Sequence, residues 1–264
     1  MFFIFIWIAC QIIGESFPIS SSGHCALLEQ WYACLYKTLF PLSALDRELL
    51  VSIMHIPTLI ILALFFYNEW FFLLRHCLRL WRLIVRVGLL TLLAALTTAF
   101  FYFGLNMHEW SCFPLGLGLL ITAAILASLS WCPNRNVRWQ WHMALILGVV
   151  QAIALLPGIS RLGITYTAAR WLGISVRRSL QISFLIQVPL IIGALCLALA
   201  KHINHDHMPK VLNLPMVLVM LISTVVAWYG LRYTVALAYN NRWWYFALYL
   251  IIPFTAWLVL IMCS

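Results

Sequence analysis

Thirteen apolar residues, Met1 to Ile13, lead through Gly14 into a polar decapeptide, Glu15-Ser-Phe-Pro-Ile-Ser-Ser-Ser-Gly-His24. As a helix the apolar run rises only about 20 Å, against a hydrocarbon core of about 30 Å. The helix is therefore expected to stop near mid-membrane. Backbone that leaves a helix at that depth survives only when it is buried in protein or lines a wet cavity. Pro18 ends the incoming helix, and Gly23 permits close approach or positive φ. A second short apolar helix, residues 25–36, makes with the first a hairpin that enters and leaves on one side.

Composition sets the same frame. Of 264 residues, 65% are hydrophobic and 9% charged, far below the roughly 25% charged of a soluble domain. The chain reads as an all-α polytopic membrane protein forming one integral domain. The net charge of +9 does not call for nucleic acid, because the basic residues sit in short loops between apolar runs. The eight cysteines show no CxxC and no metal spacing, so they read as small core fillers. The N-terminus has no basic region and no small-residue cleavage site, so it is not read as a signal peptide.

After a polar connection from Lys37 to Glu48, spans are expected at about 49–68, 86–105 and 113–133. Arg75, Arg79, Arg82 and Arg86 recur at helical spacing between the first two, as in an interfacial amphipathic helix. The pattern then restarts. Residues 141–156 are a short apolar run ending at Leu156-Pro-Gly-Ile-Ser-Arg-Leu-Gly-Ile-Thr165, with spans to follow at about 181–200, 211–230 and 244–262. Gln11, Ser20 and Gly23 recur as Gln151, Ser160 and Gly163, each shifted by 140 positions, and His55-Ile-Pro57 is echoed by Gln187-Val-Pro189. The chain thus divides into repeats over about 1–133 and 141–262, each a re-entrant hairpin plus three transmembrane helices. Broken helices in matching places of two halves point to a central site.

Three spans between the hairpins make the repeat inverted. Taking 75–86 as cytoplasmic places Arg75, Arg79, Arg82, Arg86, Arg135, Arg138, Arg170, Arg177, Arg178, Arg232 and Arg242 inside. Lys37, Arg47, Lys201 and Lys210 fall outside, and Arg161 lies in the membrane. Eleven against four obeys the positive-inside rule. Tryptophans near span ends, such as Trp131 and Trp243, read as interfacial belts, and His202, His205, Asp206 and His207 read as a polar external loop.

Opposed hairpins bring Glu15, Ser20, Ser21, Ser22 and His24 together with Ser160, Arg161 and Thr165. A guanidinium in the membrane needs an anionic partner. It is either Glu15, as a structural pair, or a phosphate cradled by Arg161, hydroxyls and backbone N–H groups. Glu15 can ligate a hard divalent cation that also binds diphosphate oxygens. His24 can serve as acid, base or nucleophile, and Ser21 and Ser22 are rival nucleophiles. His55 either borders the cavity or packs, while Gln11 and Gln151 are placed to hold the unwound tips. These are parts for phosphoryl transfer to water, and a site reached from the bilayer suggests a lipid phosphate.

The motifs at 15–24 and 157–165, with the His55 segment and Ser183-Phe184…Pro189, resemble the bacterial undecaprenyl-diphosphate phosphatase (bacitracin-resistance) family over nearly the whole chain. The resemblance implies removal of the terminal phosphate from a polyprenyl diphosphate lipid, regenerating the carrier for cell-wall synthesis. It implies dependence on a divalent cation, Mg2+ or Ca2+, and a cavity open to the periplasm from the inner membrane. By position, Glu15 matches a metal- or phosphate-site glutamate, His24 the catalytic histidine, Ser21 a proposed nucleophile and Arg161 the phosphate-binding arginine. Ser20, Ser22, Ser160 and Thr165 fit supporting phosphate contacts. Two positions depart: a usual second glutamate is Gln11, and the usual Ser-Arg-Ser-Gly is Ser160-Arg-Leu-Gly163. With Gln11 neutral, a metal loses one anionic ligand. A lipid flippase or transporter of the same inverted architecture is the rival function, and a non-catalytic scaffold leaves Glu15, His24 and Arg161 unexplained. The lipid bilayer is the expected surroundings; a homodimer is an expectation that no residue argues for.

Overall fold

The computed structural model describes residues 2–38, 42–67, 92–93, 96–97, 100, 114–137, 140–204 and 213–263. The elements in order are α1 (Phe2–Gly14), α2 (Ser21–Tyr36), α3 (Ala44–Phe65), α4 (Leu115–Ala127) with a 3₁₀ turn (Ser128–Trp131), α5 (Trp141–Ile153), α6 (Arg161–Trp171), α7 (Val176–Leu185), α8 (Gln187–Asn204), α9 (Leu214–Tyr239), α10 (Tyr245–Tyr249) and α11 (Ile251–Cys263). Among the described residues there is no strand. The expected helix at 69–86, most of the span at 86–105 and the loop residues 205–207 lie outside the described residues.

Among the described residues four stretches are long and apolar enough to cross a membrane: Asp46–Phe65, Val176–Lys201, Leu214–Tyr239 and Tyr245–Met262. The chain is a multi-pass, all-α membrane protein. Leu115–Trp131 is a shorter apolar helix, as are α1 and His142–Ile153 within α5. Two expected spans contain breaks: α7 gives way to α8 at Ile186, and α10 to α11 at Leu250. Each break falls three residues before a proline, Pro189 and Pro253. A proline has no N–H to donate and is tolerated in a first helical turn, so the helix restarts just ahead of it. Pro57, by contrast, sits inside an unbroken α3.

Both hairpins form. The first is α1 and α2 around a turn at 15–20, so α2 begins at Ser21 rather than near residue 25. The second is α5 and α6 around 154–160. Their helices would rise about 17–24 Å, short of a crossing. Each tip is fastened halfway along a longer helix. Ser16 Oγ donates to the Ala227 carbonyl (2.9 Å), close to the centre of α9. Thr122, at the centre of 115–131, accepts from Ser160 N (3.0 Å) and lies 3.0 Å from the Gly158 carbonyl oxygen, to which its hydroxyl can donate.

The tips meet through glycine. A Cβ on Gly23 would come within 3.0 Å of Gly158 Cα, and one on Gly163 within 3.1 Å of the Pro18 carbonyl. Gly158 itself adopts φ +84°. Only residues without a Cβ let the two turns approach this closely. Around them lies a core of large side chains, including Trp7, Ile8, Ile12, Met54, Leu119 and Leu231. At one edge Lys201 Nζ meets Glu48 Oε1 at 2.6 Å. Elsewhere Arg170 donates to Asn134 Oδ1 (2.6 Å), and Val137 N donates to the Gly173 carbonyl (2.8 Å).

Candidate active site

Where the tips meet they border a half-open cavity, lined among others by Glu15, Ser20, Ser21 and Ser22 from the first hairpin and Ser160 and Arg161 from the second. His55 and Thr58 of α3, Phe184 of α7 and Gln187 and Ile191 of α8 complete the wall. Phe17, Ile159 and Leu162 of the hairpins, with Phe184 and Ile191, set apolar surface beside these polar groups, a fit for a charged head on a greasy chain.

The two tips start their outgoing helices in the same way. Ser20 is the N-cap of α2, and its hydroxyl accepts from Gly23 N at 3.2 Å. Ser160 is the N-cap of α6 and accepts from Gly163 N at 3.1 Å. Such caps satisfy one of the orphan amides in each first turn and leave others open. Two helix N-termini, each with its partial positive charge, therefore end at one cavity. Ser20 is held at φ 65°, an uncommon conformation for a residue with a side chain. Ser20 and Ser160 are buried, Ser21 is half-buried and Ser22 exposed.

Arg161, the first residue of α6, lines the same cavity. Among the described residues it makes no ion pair, so the structural Arg161–Glu15 pair does not form. The Glu15 carboxylate is held by other groups. Its Oε1 accepts from Gln11 Nε2 (2.7 Å) and meets His55 Nδ1, while its Oε2 accepts from Thr58 Oγ1. The carboxylate is thus held by local donors, and the guanidinium fork, with no ion pair among the described residues, remains open to a ligand.

Several expected residues lie elsewhere. His24 does not line the cavity. Its Nδ1 pairs with the Ser20 carbonyl (2.8 Å), its Nε2 with Tyr249 Oη (3.1 Å), and its ring stacks on that tyrosine at 5.7 Å. Thr165 is also outside: fully buried, it returns its hydroxyl to the Arg161 carbonyl at 2.7 Å. A threonine inside a helix commonly bonds back one turn in this way. Gln151 does not hold its own tip; its Nε2 donates to the Ile186 carbonyl (3.0 Å), at the break between α7 and α8. Gln11 is behind the wall, touching Glu15. Sequence reasoning missed Thr58, Thr122, Phe184 and Gln187. Gln187 had a signal, since it repeats His55 in the second half.

The donor set does not fit a resident divalent cation at Glu15. Gln11 Nε2 and Thr58 Oγ1 donate to its carboxylate, and no second carboxylate lines the cavity among the described residues. Among the described residues no three His, Cys, Asp or Glu side chains gather to hold a metal ion.

Comparison with known proteins places the chain among relatives over nearly its whole length. The profile described as "Bacitracin resistance protein BacA" matches residues 5–254. The "Undecaprenyl-diphosphatase" of Elusimicrobium minutum is 31% identical over 249 residues, 90% of each chain. That of Desulfatibacillum aliphaticivorans is 29% identical, covering 92% of this chain and 94% of its own. "Undecaprenyl-diphosphatase 1" of Rhodospirillum rubrum is 34% identical over 70% of this chain and 68% of its own. With paired hairpin tips, matching Ser-x-x-Gly caps and a profile that spans nearly its whole length, the chain belongs to the bacitracin resistance protein BacA family.

Proposed function

We propose that this protein hydrolyses undecaprenyl diphosphate to undecaprenyl phosphate and inorganic phosphate, recycling the carrier lipid for cell-wall synthesis and giving bacitracin resistance. The observation that carries the reading is the meeting of two helix N-termini and an unpaired Arg161 in one cavity. A terminal phosphate there receives hydrogen bonds from open amides, from Ser21 and Ser22, and from a guanidinium that can bridge two of its oxygens. All of these strengthen as charge spreads over the equatorial oxygens in the transition state. Phe184 and Ile191 line the side on which the first isoprene units would lie.

A divalent cation belongs in this reading to the substrate, entering on the oxygens of the diphosphate and neutralising part of its charge. The protein is read as a bacterial inner-membrane protein with the cavity facing the periplasm. The eleven-to-four distribution of basic residues supports that orientation. The Lys201–Glu48 and Arg170–Asn134 contacts, each joining two residues assigned to one side, agree with the order of crossings in that scheme. The test is phosphate release from undecaprenyl diphosphate by the purified protein in detergent, with and without chelator. Release supports the reading; lipid translocation in sealed vesicles without any phosphate release would replace it with a flippase.

A further inference from the structure

The contacts of His24 fix where its protons lie. A carbonyl oxygen only accepts, so Nδ1, 2.8 Å from the Ser20 carbonyl, carries a proton. The lone pair of the neutral ring is then on Nε2, and the hydroxyl 3.1 Å away, Tyr249 Oη, donates to it. The two rings also lie nearly parallel, at 9° with centroids 5.7 Å apart. The imidazole is thus held at both nitrogens, by its own helix on one side and by α10 on the other.

The fold brings Tyr249 to this place through a second contact. α10 has five residues, and Phe246 lies on the same face as Tyr249, three positions before it. The Phe246 ring meets Phe17 of the first hairpin tip, with centroids 6.0 Å apart. Phe17 lies over Gly230 of α9, where a Cβ would come within 2.9 Å of its ring. One face of α10 therefore meets the tip twice: at Phe17 in the cavity wall, and at His24 just behind Ser20, Ser21 and Ser22, which line it.

A hydroxyl is both donor and acceptor. While Nε2 is bare, Tyr249 Oη donates to it. Once Nε2 carries a proton, the hydroxyl turns about its C–O bond and accepts from it, and no heavy atom moves. A carboxylate in the same place would suit only the protonated ring, and an ammonium only the neutral one. We propose that Tyr249 is a positioning residue for His24, holding the ring in one place while it takes up and returns a proton in the reaction.

The inference rests on the phosphatase reading above, with His24 as the carrier of the proton. The oxygen of the attacking water bonds to the terminal phosphorus as the bond from that phosphorus to the bridging oxygen breaks. The electron pair of the broken bond leaves on undecaprenyl monophosphate. The water proton passes to His24 Nε2 and returns to a phosphate oxygen of the products. Tyr249 acts through the imidazole.

The test is Tyr249→Phe, which keeps the ring and its stacking and removes the hydroxyl. Tyr245→Phe, at the other end of the same helix and with an exposed ring, is the control. Phosphate release from undecaprenyl diphosphate is measured against substrate concentration and pH. Tyr249→Phe is expected to lower kcat about tenfold and to leave KM within about twofold and the melting temperature within about 2 °C. The rate falls on the acid side as His24 becomes protonated. The bond that the charged ring loses is stronger than the one the neutral ring loses, so protonation becomes harder and the acid limb moves to lower pH by about half a unit or more. Cys10 of α1 is the other titratable group felt at Tyr249, and a thiol is uncharged across that limb. A ring-fluorinated tyrosine placed at position 249 is a better donor and a poorer acceptor, so it moves the limb in the same direction; it decides the matter if Tyr249→Phe does not accumulate. A kcat of Tyr249→Phe within about threefold of wild type, or an acid limb that neither change moves, would overturn the role of Tyr249. A silent wild-type protein in the same assay would instead overturn the phosphatase reading itself.

Discussion

Gly158→Ala isolates the contact on which the cavity depends. The residue sits at φ +84°, which costs an L-amino acid about 1–2 kcal/mol. Its new Cβ would lie 2.5 Å from the Leu115 carbonyl oxygen and 2.9 Å from Leu119 N. Both are backbone atoms of α4, so no side chain can swing aside, and the tip must back away from the helix. Overpacking of that kind costs about 1–3 kcal/mol. Backing away also strains the two Thr122 bonds, each worth about 1 kcal/mol. With both bonds lost the total is about 4–7 kcal/mol, and the displacement carries Ser160 and Arg161 with it. Gly193→Ala is the control, because a Cβ there meets nothing within 4 Å and a helical glycine gains about 1 kcal/mol on becoming alanine. Thermal melting in detergent, followed by tryptophan fluorescence, should place Gly158→Ala at least about 5 °C below wild type and Gly193→Ala at or above it. Phosphate release should be lost only in the former. Wild-type melting and wild-type release by Gly158→Ala would mean that the hairpin tips do not pack as described.

Three further outcomes follow from the same geometry. Arg161→Lys replaces a fork that can bridge two oxygens by a point charge, so phosphate release should fall about 30- to 1000-fold, or 2–4 kcal/mol; a loss within about threefold at normal protein level would exclude Arg161 from the phosphate site. Gln11→Glu removes the amide that donates to Glu15 and sets two carboxylates together, so the variant should depend on added magnesium and reach half-activation at a lower concentration than wild type. An unchanged half-activation point would show that residue 11 is out of a cation's reach. Cysteine-accessibility labelling should place residues near 1 and 40 on one face and residues near 80 and 136 on the other, and finding 1 and 40 on opposite faces would remove the re-entrant hairpin.

What the sequence disclosed is what local chemistry decides. Helices too short to cross, and polar proline-containing stretches that interrupt them at 15–24 and 157–165, depend on neighbours within a few residues. All of them appear where expected, with α2 starting four residues early. The partners of the site residues were not legible, because they are chosen by packing across the chain. Glu15 finds Thr58 from 43 positions away, and His24 finds Tyr249 from 225 positions away. His24 lies one helical turn into α2, and nothing in the motif says which neighbour its ring will meet. The breaks at Ile186 and Leu250 were legible in Pro189 and Pro253 but were hidden inside continuous apolar runs.

The scaffold of the cavity is repeated, yet its charges are not. Shifted by 140 positions, Arg161 of the second tip corresponds to Ser21 of the first, and Glu15 of the first corresponds to Leu155 of the second. A fully symmetric site would carry two arginines or two glutamates, and like charges at close range in a medium of low dielectric repel strongly. Equal caps deliver two helix N-termini to one place, and unequal side chains then divide the work. Among the described residues Arg161 is left without an ionic partner and so attracts the anion. Glu15 is surrounded by Gln11, Thr58 and His55, which lowers its repulsion of that anion and turns its charge toward the imidazole. In the proposed reading, the matching caps at Ser20 and Ser160 place the substrate's phosphate, and the unequal side chains beside them account for what can be done to it.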